Sequence, residues 1–129
     1  MIWLVRSAMC DMMPPVEGLP GIADTEIDTF LAQVQRETTG LVWLGLVLGA
    51  LAFVCSPLFT VYIPLPTIFL SAHLRNRHAE AAFTDTPYLL RQAMFLLKMY
   101  ACMCWGQHPS VRAKMGVSAY PADPGSFRV

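Results

Sequence analysis

Residues 41–63 read LVWLGLVLGALAFVCSPLFTVYI, 23 positions without a charge. As one helix at ~1.5 Å per residue the run covers ~35 Å, enough for a hydrocarbon layer of ~30 Å with modest tilt. Thirteen of its residues are Leu, Val, Ile or Phe; at roughly −0.3 to −0.6 kcal/mol each they favour insertion by about 4 to 8 kcal/mol. The run therefore predicts a transmembrane helix over 40–64. The chain becomes an all-α membrane protein, with one kinked spanning helix and amphipathic or interfacial helices around it. A buried core helix is the competing reading, and a chain of 129 residues has little else with which to enclose so apolar a rod.

Two features stand out inside the run. Gly45 and Gly49 are four apart, so they share one helix face and let another helix come close. Pro57 removes a backbone hydrogen bond and is expected to kink the helix about one turn earlier, near Phe53. Pro64 and Pro66 then stop it.

On the N-terminal side, 1–23 reads as an irregular linker, with Pro14-Pro15 and Gly18-Leu19-Pro20-Gly21 as its marks. Its short apolar start lacks the length and the small-residue site of a signal peptide. Residues 24–39 predict an amphipathic helix. Asp24 or Thr25 can cap it, and Ile27, Phe30, Leu31 and Val34 form an apolar stripe. On the C-terminal side, 65–108 holds two juxtamembrane helices, 67–83 and 87–105. The second is apolar except for Arg91, Gln92 and Lys98. Arg91 and Lys98 are seven apart on one face, which predicts a helix lying in the membrane interface with its basic side outward rather than one that crosses. Arg75 and Arg77 on the first helix are placed to meet lipid phosphates. Residues 109–129 predict one short helix and an irregular tail.

The apolar share is 55% and the charged share 14%, greasier than an ordinary globular domain. Net charge is zero but unevenly spread, with acids gathered before residue 40 and basics after 63. By the positive-inside rule this single-pass arrangement places the C-terminal part in the cytoplasm. The basic excess is too dilute for a nucleic-acid partner.

Little in the sequence carries chemistry. There is no glycine-rich phosphate loop, and no Ser-His-acid order is credible in so few polar residues. His73 and His78 are five apart, off the spacing that puts two ligands on one helical face. Cys102, Cys104 and His108 offer soft ligands, but at a spacing foreign to zinc modules and with the two thiols diverging on a helix. No catalytic residue, metal or cofactor is expected. A metal- or haem-carrying subunit is the least favoured alternative.

From Tyr88 to Arg128 the rhythm Arg91, Phe95 with Lys98, His108-Pro109-Ser-Val111-Arg112, then Gly116, resembles the non-catalytic stretch of membrane-associated GMC-type flavin oxidoreductases, the long-chain alcohol oxidases among them. The likeness covers about a third of the chain and reaches no flavin-binding domain. It implies a small non-enzymatic membrane subunit that anchors or docks a separately encoded flavoprotein. Gly45 and Gly49 would then pack a partner helix, while Arg75, Arg77, Arg91 and Lys98 would meet lipid or the partner. A stand-alone homo-oligomer built on the glycine face is the alternative.

Overall fold

The computed structural model of the protein describes residues 1–118 and 122. Among them the chain is all helical: α1 (Ile2–Met12), α2 (Ile27–Glu37), α3 (Gly40–Cys55), α4 (Pro57–Thr60), α5 (Ala72–Ala81), α6 (Tyr88–Gln107) and α7 (Pro109–Lys114), with single 3-10 turns at Ile22–Asp24 and Thr67–Phe69. The predicted irregular tail lies, apart from its first residues, outside the described part.

The uncharged run does not form a spanning helix. α3 has 16 residues, about 24 Å at 1.5 Å per residue, short of the ~30 Å required. Among the described residues no helix is long and apolar enough to cross a membrane. This overturns both the membrane-spanning fold and the single-pass location read from residues 40–64, and the cytoplasmic assignment of the C-terminal part falls with them. The reason lies at Ser56-Pro57. Pro57 does not kink a continuous helix; it takes the first position of α4, where its missing N–H costs nothing. Ser56 turns its hydroxyl back to donate to the Phe53 carbonyl at 3.0 Å. Beyond α4 the chain passes through Tyr62 at φ 58° and the prolines 64 and 66.

The apolar rod instead finds cover within its own chain. α3 and α6 pack as an antiparallel pair. A Cβ built on Gly45 would meet Leu96 Cδ2 at 2.8 Å, and one on Gly49 would meet the Ala93 carbonyl oxygen at 2.5 Å. Numbers rise along α3 as they fall along α6, which fixes the antiparallel sense. α6, expected with its apolar side in the membrane interface, gives one edge to the protein core instead: Met94, Leu97, Ala101 and Cys104 are buried. It runs to Gln107, until Pro109 holds His108 in extended backbone.

Residues 2–12, read as linker, form α1, because Leu4, Val5, Ala8 and Met9 recur at i, i+1, i+4 and i+5 and share one face. That face is buried in the common core with Leu46, Val47, Ala50 and Phe53 of α3 and with α6. Burying Leu4, Val5 and Met9 stabilises the fold by about 5 kcal/mol before chain entropy. α2 follows its predicted stripe, with Ile27, Leu31 and Val34 buried; Asp28 in its first turn and Arg36 in its last suit the helix dipole. The predicted 67–83 helix is split: Ser71 precedes α5, and the 3-10 turn before it is separate.

The segment between α1 and α2 is strapped to α6 and α7. Trp105 Nε1 donates to the Pro20 carbonyl at 2.7 Å, and Lys114 Nζ to that of Gly18. The 14–26 segment is thereby held across the C-terminal end of α6.

Candidate functional site

Because α3 is apolar all round, packing one side of it leaves the other bare. Taking ~100° per residue, its glycine edge faces α6 and its core edge carries Leu46, Ala50 and Phe53. The remaining edge shows Leu41, Leu44, Leu48 and Leu51, followed by Leu58 of α4. On α6 the edge away from the core shows Leu89, Phe95, Met99 and Met103. All nine side chains are 42–79% exposed. Each row lies on the side of its helix opposite the core, at about 80° to 110° from the α3/α6 seam. In an antiparallel pair the two rows therefore emerge on the same side and make one apolar face, interrupted on α6 by the exposed, uncharged side chain of Gln92. No charged residue falls within either row.

The spacing along α3 is 41, 44, 48, 51, then Cys55, which is also exposed, and 58. This alternation of three and four is the period of a helix seam that packs against other helices. Scattered exposed leucines mean nothing, but a charge-free face of this kind marks an interaction surface. It was visible in the sequence as apolarity without a stripe. Only the position of α6 shows which edge is covered.

Gly45 and Gly49 thus meet α6 of the same chain. Arg75 places Nη1 3.7 Å from Asp11 Oδ1, joining α5 to α1, and burial pushes the Asp11 carboxyl up while Arg75 pulls it down. Arg77 is exposed. Lys98 Nζ stands 4.1 Å from the centre of the Phe83 ring and Arg91 Cζ 5.9 Å from that of Tyr88. Both cations sit on the flank of α6, between the core edge and the exposed row, and neither lies on the apolar face.

A cleft of about 520 Å³ opens at the far end of α6, lined by Thr25, Glu26, Cys104, Gln107, His108, Pro109 and Ser110. It brings Cys104 and His108 together, one turn apart. Cys102 points away into solvent. Cys104 is buried and its Sγ is 3.6 Å from Thr25 Oγ1; burial pushes its thiol up, outweighing the effect of its hydrogen bond with Thr25. A thiol held protonated is a poor nucleophile and a poor ligand. His108 Nδ1 lies 2.7 Å from Ser110 Oγ, a local contact where α7 begins. Among the described residues no three His, Cys, Asp or Glu side chains are grouped to hold a metal.

His78, weighed in the sequence only as a metal ligand with His73, is a buried structural residue. It is fully buried, with Nε2 3.0 Å from the Phe53 carbonyl and Nδ1 2.6 Å from Thr60 Oγ1. A carbonyl only accepts, so Nε2 carries the proton and Nδ1 receives the Thr60 hydroxyl. The ring also lies 4.6 Å from that of Phe53. His78 therefore clamps α4 and α5 onto the end of α3. Burial lowers its pKa, against the raising effect of the Phe53 hydrogen bond. Its partners are 18 and 25 residues away, beyond any local spacing rule.

Comparison of the chain with protein-family models, with curated proteins and with solved structures returns no match, so the likeness to the GMC oxidoreductases stands only on the residues that carry it.

Proposed function

We propose that this protein is a small non-enzymatic assembly subunit that acts by binding protein through the apolar face of α3 and α6. The observation that carries the reading is the pair of exposed rows, nine large apolar side chains on one side of a helix pair with no charge among them. Exposed apolar surface on this scale is costly unless something covers it. In the cleft, the Cys104 thiol is buried and hydrogen-bonded and burial pushes it up, which makes it a weak nucleophile. The resemblance of Tyr88–Arg128 nominates a separately encoded flavin-dependent oxidoreductase as the catalytic component of the assembly.

The test is co-expression with a GMC-type flavoprotein and isolation of the complex through a tag on this chain. The flavin absorbance should follow the wild type and be lost with the double variant Leu48→Glu/Phe95→Glu. Both positions are exposed, so the helical fold should survive, as circular dichroism would verify. Assembly unaffected by the double variant would refute the role of this face.

A further inference from the structure

We infer that the α3/α6 face is covered by a second copy of this chain, related by a two-fold axis, so that two helix pairs close into a four-helix bundle. This deepens the docking reading above and rests on it: the protein bound through the face is a second copy, and the flavoprotein is held by the resulting dimer, so one double variant removes both.

The first argument is area. Aromatic side chains bury roughly 150–250 Å² and Leu and Met fall at or below the low end of that range, so the nine residues at their observed exposure present on the order of 700 Å² of apolar surface. A standard stable interface buries ~800 Å² on each partner, and the largest apolar patch on a typical monomer is ~300–600 Å².

The second argument is charge. A helix face that lies on an anionic bilayer carries Lys and Arg along its polar edge. Here α3 carries no Lys or Arg at all, and only one flank of α6 carries any, Arg91 and Lys98, each over an aromatic ring. The protein has no net charge, so two identical faces meet without repulsion.

The third argument is shape. The α3 row is made of branched leucines; the α6 row, after Leu89, is made of Phe and Met. The contacts of Gly45 with Leu96 and of Gly49 with Ala93 set Leu48 level with Phe95 across the pair. A two-fold axis parallel to the helices then lays each leucine row over the partner's Phe/Met row, with Leu48 over Phe95. Every helix gains antiparallel neighbours, and the three–four spacing supplies knobs for the holes between them. Cys55 sits within the leucine row and becomes covered.

Light scattering on the purified full chain, at tens of micromolar, should give twice the 14.3 kDa chain mass. Leu48→Glu/Phe95→Glu buries unpaired charge and should weaken association by at least about 100-fold. Alkylation of Cys55 should be slowed in the wild type and restored in that variant. A monomeric wild type would overturn the inference, as would a dimer untouched by the double variant. Wild-type binding to phosphatidylserine vesicles, abolished by the same variant in a monomeric protein, would assign the face to lipid and also overturn it. A monomer that nonetheless holds a flavoprotein partner through Leu48 and Phe95 would refute self-association while leaving the docking role intact.

Discussion

Alanine at Gly49 and alanine at Gly45 should have different effects, although both glycines stand on the same helix face. In a helix interior, Gly→Ala gains about 1 kcal/mol from propensity alone. At Gly49 the new methyl would sit 2.5 Å from the Ala93 carbonyl oxygen, a backbone atom that cannot rotate aside. α6 must draw back by roughly 0.5–0.9 Å, and a gap of that size forfeits a quarter to a half of each van der Waals contact across the seam. Overpacking costs about 1–3 kcal/mol; with an immovable obstacle the upper part of that range applies, so the net loss is about 1–2 kcal/mol. At Gly45 the obstacle is the Leu96 Cδ2 methyl at 2.8 Å, the far end of a half-buried side chain that can turn away. There the propensity gain survives, and the variant should match or exceed the wild type by up to about 1 kcal/mol. The two variants should therefore differ by ~2 kcal/mol, or about 6–10 °C in midpoint at this chain length. Thermal and urea unfolding followed by circular dichroism, at one protein concentration, measures this. Equal stability of the two variants, or a more stable Gly49→Ala, would refute the close packing of α3 on α6.

Three further outcomes are expected. Because burial lowers the pKa of His78 from 6.5, its contribution is complete above that pH and is lost as pH falls from 6.5 towards the folded value. The slope is at most ~1.4 kcal/mol per pH unit; urea midpoints between pH 8 and 5 should show it, and His78→Gln should remove it. Cys104 should resist iodoacetamide in the native protein and react once unfolded; rapid native labelling, located by mass spectrometry, would contradict its burial. Tyr62, exposed and at φ 58°, holds a left-handed conformation that costs a side chain about 1–3 kcal/mol, so Tyr62→Gly should raise the thermal midpoint.

The helical class and the α2 stripe were legible because their signal is local: Ile27, Leu31 and Val34 recur with the helix period and are buried together. The 41–63 run was legible as helix and apolar but not as to its surroundings, since lipid and a packed helix demand the same residues. What separates the two is the stop at Ser56-Pro57 and the arrival of Ala93 and Leu96 at the glycines, and the second is an event some 45 residues downstream. The same non-locality hid the candidate face, because an all-apolar helix has no edge until a neighbour takes one. The start of the chain misled for a different reason. Ile2, Leu4, Val5, Ala8 and Met9 do carry a helical pattern, but the prolines and glycines after residue 13 drew the linker reading back over it.

The strap from Pro20 to Trp105 carries a consequence for the newborn chain. α1 is synthesised well before α6, yet much of what covers its apolar face belongs to α6, and the bond that holds the loop after α1 in place spans 85 residues. At roughly 5–20 residues per second, translation needs about 4–17 s to cover that distance. Throughout that interval Leu4, Val5 and Met9 have no finished core to enter. Until α6 has been made, a holdase that recognises short apolar helices would find a target in α1.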